Sequence, residues 1–240
     1  MANQLPYDAT MMPTELKRNI SEVDRRIRAA EKASGRATGT VSLLAVSKTK
    51  PSELVRRAHG FGLSAFGENY AQEMVEKAAA LADLPLYWHF IGPIQSNKTA
   101  LIAGVSDWVH SIDRLKVARR LSEQRPDDKA PLNVLVQVNT SNEDSKSGVA
   151  PDAAPELLAA INELPGLTLR GLMTIPAATT NQAEQREPFR QLSELMAQLS
   201  DSLPQLDTLS MGMSGDLEAA VSEGANIVRV GTDIFGARYN

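Results

Sequence analysis

Three features of the chain could carry chemistry, and each lies at or near the end of an apolar run. Lys48 follows Val41-Ser42-Leu43-Leu44-Ala45-Val46-Ser47, and Lys50 stands just beyond it. Partial burial of its stem and the neighbouring cation would both lower the pKa of the amine, the condition for attack on a carbonyl. Arg229 interrupts Ile227-Val228-Arg229-Val230, where an unpaired charge would cost several kcal/mol. It must find an acceptor, either a carboxylate or a ligand atom such as a pyridine nitrogen. Ser214 precedes Gly215-Asp216-Leu217-Glu218-Ala219-Ala220 and is suited to cap a helix whose amide end attracts anions. Gly231-Thr232 follows the run around Arg229 and adds backbone amides and a hydroxyl. Together they read as a phosphate cup, with Asp216 and Glu218 as a counterweight because they compete for the same helix end. A lysine for a Schiff base, a partner for a ring nitrogen and a phosphate cup are jointly what pyridoxal 5′-phosphate (PLP) needs.

The elements that would position these residues repeat along the chain. Short apolar or β-branched runs at Val41–Val46, Ser64–Phe66, Tyr87–Ile91, Trp108–Ser111, Asn133–Val138, Thr168–Met173, Thr208–Ser210 and Ile227–Val230 read as strands. Helical periodicity fills Ser52–Gly60, Tyr70–Leu84, Asp113–Gln124, Pro151–Leu164, Glu187–Leu203 and Asp216–Gly224. Eight strand–helix alternations predict an α/β fold, a single (β/α)8 TIM barrel, with an open doubly wound sheet as the alternative. Against the open sheet, the first strand runs into Ser47-Lys48-Thr49-Lys50-Pro51, without the glycines of a dinucleotide loop. An extra amphipathic helix starts at Pro13, with Leu16, Ile20, Val23 and Ile27 on one face. Arg25, Arg26, Arg28 and Lys32 read as its solvated face. Residues 1–12 read as a flexible N-terminal arm and residues 13–240 as the barrel.

Composition excludes other classes. The 240 residues hold 25 Lys and Arg against 29 Asp and Glu, a net charge of −4, which disfavours a nucleic-acid groove. Zero Cys removes disulfides and thiolate metal cages, and three His at unrelated positions suggest no metal site. No apolar run approaches the ~18 residues of a membrane span, and no signal peptide is visible. The expectation is a cytoplasmic protein with no nucleic-acid or membrane partner.

Five motifs then carry a resemblance. Ala45-Val46-Ser47-Lys48-Thr49-Lys50-Pro51, Phe66-Gly67-Glu68-Asn69-Tyr70, His89-Phe90-Ile91-Gly92-Pro93-Ile94-Gln95-Ser96-Asn97-Lys98, Ser210-Met211-Gly212-Met213-Ser214 and Val230-Gly231-Thr232-Asp233-Ile234-Phe235-Gly236-Ala237-Arg238 resemble the pyridoxal phosphate homeostasis (YggS/PROSC) family over about Leu16 to Tyr239. The resemblance implies a barrel like the alanine racemase N-terminal domain. It implies that Lys48 holds PLP as a Schiff base and that Arg229 faces the pyridine nitrogen. Ser214, Gly231 and Thr232 would hold the phosphate, and Asn69 would lie near the ring. It further implies a protein that stores PLP or delivers it to PLP-dependent apo-enzymes, without robust turnover, and with no added β domain a monomer is the expectation.

Rival readings are a minimal amino-acid racemase using Lys48 as base, and a sugar-phosphate barrel enzyme using Lys48 without PLP. Trp88 and Trp108 are expected between barrel and helices, and His89 as a hydrogen-bonded core residue. Lys146, in the loop 141–148, is read as solvated, with closure over the mouth as the alternative.

Overall fold

The computed structural model describes residues 11–141 and 147–237, with the side chains of residues 182 and 183 left aside. Most of the N-terminal arm, Lys146, Arg238 and Tyr239 lie outside the described residues. Eight parallel strands close into a barrel in sequence order. They are β1 Ser42–Val46, β2 Ala65–Glu68, β3 Tyr87–Phe90, β4 Trp108–Ile112, β5 Leu132–Gln137, β6 Leu167–Met173, β7 Thr208–Ser210 and β8 Ile227–Val230. The helices are α1 Pro13–Ala33, α2 Ser52–Gly60, α3 Ala71–Ala80, α4 Thr99–Val105, α5 Leu115–Glu123, α6 Ala154–Asn162, α7 Gln182–Gln198, α8 Leu217–Ser222 and α9 Thr232–Phe235. One helix follows each strand and α1 is additional, so the fold is the TIM barrel with an extra N-terminal helix.

Register decides which side chains meet at the mouth. Side chains alternate along a strand, so Leu44, Val46 and Lys48 share the inner face while Ala45 and Ser47 point to the helices. Leu44 pairs with Arg229 and Ala45 with Val230, which closes the barrel. Val46 pairs with Gly67, and Lys48 and Asn69, each two residues further along the chain, both reach the mouth of the barrel. Gly92 lets the segment after β3 lie against the backbone of Asn69, because a Cβ there would stand 2.1 Å from the Asn69 carbonyl oxygen.

α1 seals the outside of the closure. Leu16, Ile20, Val23 and Ile27 are buried on one face, as their spacing requires. That face packs on α8 and α9. Its C-terminal end is tied to β1 by Glu31, which is fully buried and accepts the N–H of Val41 at 2.7 Å and of Gly39 at 3.1 Å. Burial pushes the Glu31 carboxyl up, but those two N–H groups and Arg28 outweigh it and hold it below its ordinary value. Met11, the first described residue, packs against the core.

Several boundaries differ from the sequence reading. α7 begins at Gln182, ahead of the expected Glu187, and carries Pro188 inside it. A proline removes one backbone donor, and the preceding turn survives because Thr179 and Asn181 both donate to Glu184. α4, with seven residues, and α9, with four, have no counterpart in the sequence reading, and α9 is barely one turn long. Trp88 packs outside the barrel near Phe66, as expected. Trp108 does not, because it shares the inner face of β4 with His110 and stacks on His89 at 5.7 Å between ring centres.

Candidate cofactor site

Lys48, Asn69, Ser214, Arg229, Gly231 and Thr232 all line one cleft of about 270 Å³ at the C-terminal end of the strands. Val46, Ile91, Ile175 and Met213 supply its apolar walls, and Gly215 completes its rim. Lys48 and Asn69 come from the ends of β1 and β2, and Ser214 and Thr232 from the segments after β7 and β8. Barrel phosphate sites use these last two segments.

Ser214 is not a helix cap. The cap position of α8 is Asp216, whose carboxylate accepts the Met213 N–H at 2.5 Å and makes no side-chain bond to the helix. Burial raises the Asp216 carboxyl above its ordinary value. Gly212 lets the chain turn here at φ +93°, where a Cβ would stand 2.5 Å from Ala220 Cβ. Ser214 is thereby released from capping and set on the cleft wall.

Arg229 is 3% exposed, and its acceptors among the described residues are neutral. Nη1 donates to the carbonyl and hydroxyl of Ser210 at 2.7 and 2.8 Å, and Nη2 to the carbonyl of Thr174 at 2.9 Å. These contacts orient the side chain but leave part of its five-donor fork for another acceptor. Burial lowers its pKa to about 10, with Asp216 acting in the opposite direction. Behind it the polar chain continues through the barrel. Ser210 Oγ meets His110 Nδ1 at 2.8 Å, and His110 Nε2 meets His89 Nδ1 at 2.9 Å. Burial takes His89 down to about 3 and His110 well below its ordinary value, so both imidazoles stay neutral near pH 7. His89 is therefore a hydrogen-bonded core residue.

The residues fit a small aromatic phosphate. Asn69 Oδ1 is buried with no partner, an acceptor still in want of a donor. The cleft also joins an amine, a cationic fork and hydroxyl-bearing turns on apolar walls.

The alanine racemase N-terminal domain family matches residues 16–239. A pyridoxal phosphate homeostasis protein of Pseudomonas aeruginosa is 60% identical over 220 residues, covering 92% of this chain and 94% of that protein. One from Vibrio cholerae is 53% identical over 227 residues, covering 93% and 96%. The chain belongs to the pyridoxal phosphate homeostasis protein family. A solved structure of PipY from Synechococcus elongatus with PLP bound is similar at a TM-score of 0.79 and 33% identity, covering 92% of this chain and all of that one.

In this member of the family, the segment bearing Lys48 is held from behind by a buried cluster. Lys77 Nζ donates to the Ser47 carbonyl at 2.7 Å, to Glu68 at 2.6 Å and to Glu73 at 2.7 Å. The Ser47 hydroxyl donates to Glu68 at 2.6 Å, and the Thr49 N–H to Glu73 at 2.6 Å. Lys48 is thus bracketed on both sides, while Thr49 adopts φ +65°. Lys50, read in sequence as a cation neighbouring Lys48, is buried. This cluster and the histidine chain were not anticipated from sequence. The i, i+4 pair Glu73–Lys77 was the only local signal for the first, and nothing local marked the second.

Proposed function

We propose that this chain binds PLP in the cleft, with Lys48 as the attachment point, and serves to store the cofactor or hand it to apo-enzymes. The convergence of Lys48, Arg229 and the Ser214–Thr232 rim on one cleft carries this reading. PLP supplies an aldehyde that condenses reversibly with a primary amine. Lys48 would provide the amine, Arg229 a donor toward the ring nitrogen, and Asn69 a buried acceptor for a polar group of the ring. Ser214, Gly231 and Thr232 would hold the phosphate. An arginine facing the ring nitrogen keeps that nitrogen unprotonated, which supports carriage over carbanion chemistry. Racemisation needs an acid–base group on each side of the reacting carbon. Besides Lys48 and Arg229, the described residues lining the cleft are apolar, amide, hydroxyl or glycine. We assign the protein to the cytoplasm, as a monomer, on the same reading.

The test is a visible spectrum of the protein with PLP, followed by borohydride reduction and peptide mapping. The expected result is a pyridoxyl adduct on Lys48 and none in Lys48→Ala. An adduct on another lysine, or none, would remove the reading. Rapid α-proton exchange of alanine in deuterated water would favour the racemase instead.

A further inference from the structure

We propose that Arg26, on the helix preceding the barrel, is a positioning residue for anion binding at the mouth. It cancels two carboxylates beside the cleft and fixes the loop that carries Ser214. The proposal rests on the reading that a phosphate lies between Ser214 and Thr232.

Arg26 stands next to buried Ile27, at the edge of the α1 face that packs on α8 and α9. Its side chain is 24% exposed, so it is not part of a solvated basic stripe. Nε and Nη2 donate to the two oxygens of Glu218 at 2.7 and 2.9 Å. Nη1 donates to Asp233 Oδ2 at 2.6 Å, and Nη2 also donates to the Ser214 carbonyl at 2.9 Å. One guanidinium therefore joins the loop after β7, the first turn of α8 and the first turn of α9. The planar fork grips both oxygens of Glu218 side by side and still reaches Asp233 and the Ser214 carbonyl with its other donors, four bonds where an ammonium has three donors to give.

The electrostatic consequence follows from where the acids sit. Glu218 and Asp233 lie in the first turns of α8 and α9, the segments that follow Ser214 and contain Thr232. Unpaired, both would repel an anion held at that mouth. Hydrogen bonding to Glu218 raises the Arg26 pKa despite its burial, so the pair stays charged around neutrality. Arg26 converts an acidic rim into one compatible with a phosphate. It touches neither Lys48 nor Arg229 in any of these contacts, so it should discriminate the phosphate tail and not the ring.

Affinities for PLP, for pyridoxal and for inorganic phosphate at low salt test this. Arg26→Ala should weaken PLP by about tenfold while leaving pyridoxal nearly unchanged, and added salt should shrink the deficit. Arg26→Ala/Glu218→Gln/Asp233→Asn should regain most of the PLP affinity, because the repulsion is gone. Glu218→Gln/Asp233→Asn with Arg26 retained should bind PLP and phosphate more tightly than the parent, an outcome that does not depend on Arg26→Ala folding. Equal losses for PLP and pyridoxal, or no gain in that double variant, would overturn the proposal and leave Arg26 a structural strut. A parent protein that takes up neither PLP nor phosphate would remove the functional reading as well, and needs no variant to be seen.

Discussion

At the scale of single residues, the amine that matters is held by its neighbours. Thr49 at φ +65° is a β-branched residue in a region such residues avoid, and it persists because Glu73 takes its N–H. Glu68 sits at the centre of the supporting cluster, fully buried, with Oε2 lacking any partner. Burial pushes its carboxyl up to about 7, although Lys77 and Ser47 pull it down and Glu73 adds to the rise. The folded pKa thus lies above the unfolded value of 4.5. Between those two values the folded protein keeps a proton that the unfolded chain has lost, so this group's contribution falls as pH rises. The slope is about 1.4 kcal/mol per pH unit. Urea unfolding of the parent and Glu68→Gln between pH 4.5 and 7.5 should show the variant gaining on the parent with rising pH. Parallel curves would mean that Glu68 is ionised throughout.

At the scale of elements, α1 is a structural wall of the site even though it contributes no residue to the cleft. Its apolar face was plain from spacing, whereas the role of Arg26 was not: that residue read as one of four exposed cations. Ile27 is fully buried in this face and adjoins Arg26. Ile27→Ala should cost about 2–5 kcal/mol through lost burial and the cavity left behind. Denaturant titration would check it, and a loss below about 1 kcal/mol would show that the helix settles into the gap. α7 teaches a complementary point. A proline normally signals a helix start, yet here side-chain bonds to Glu184 sustain five residues of helix before Glu187.

At the scale of the molecule, a polar chain crosses the interior of the barrel beside the apolar cluster of Leu44, Ile91 and Ile227. Two imidazoles, a hydroxyl and a guanidinium form one hydrogen-bonded chain across it, from His89 to Arg229. The charge in this chain is carried by Arg229, whose remaining donor capacity faces a cleft open to ligand. A ligand that binds only the closed barrel should stabilise the whole of it. PLP at a hundredfold excess over its Kd should add about 2.7 kcal/mol, read as a rise in melting temperature, and pyridoxal at equal concentration should add less. Equal shifts for both would show that the phosphate contributes nothing to binding.

The amino-acid order alone determined the barrel, the additional helix and five of the residues that share the cleft, Asn69 having come from the family resemblance. It could do so because those signals are local. An apolar run ends in a lysine, a serine or a glycine, and in a parallel barrel every strand end lies on the same rim. The order could not show which of those charges are compensated. Arg26 meets Glu218 across 192 residues and Asp233 across 207, and His110 meets Ser210 across 100. Hydrogen bonding and charge pairing depend on separation in space, and only closing β8 onto β1 brings these partners together.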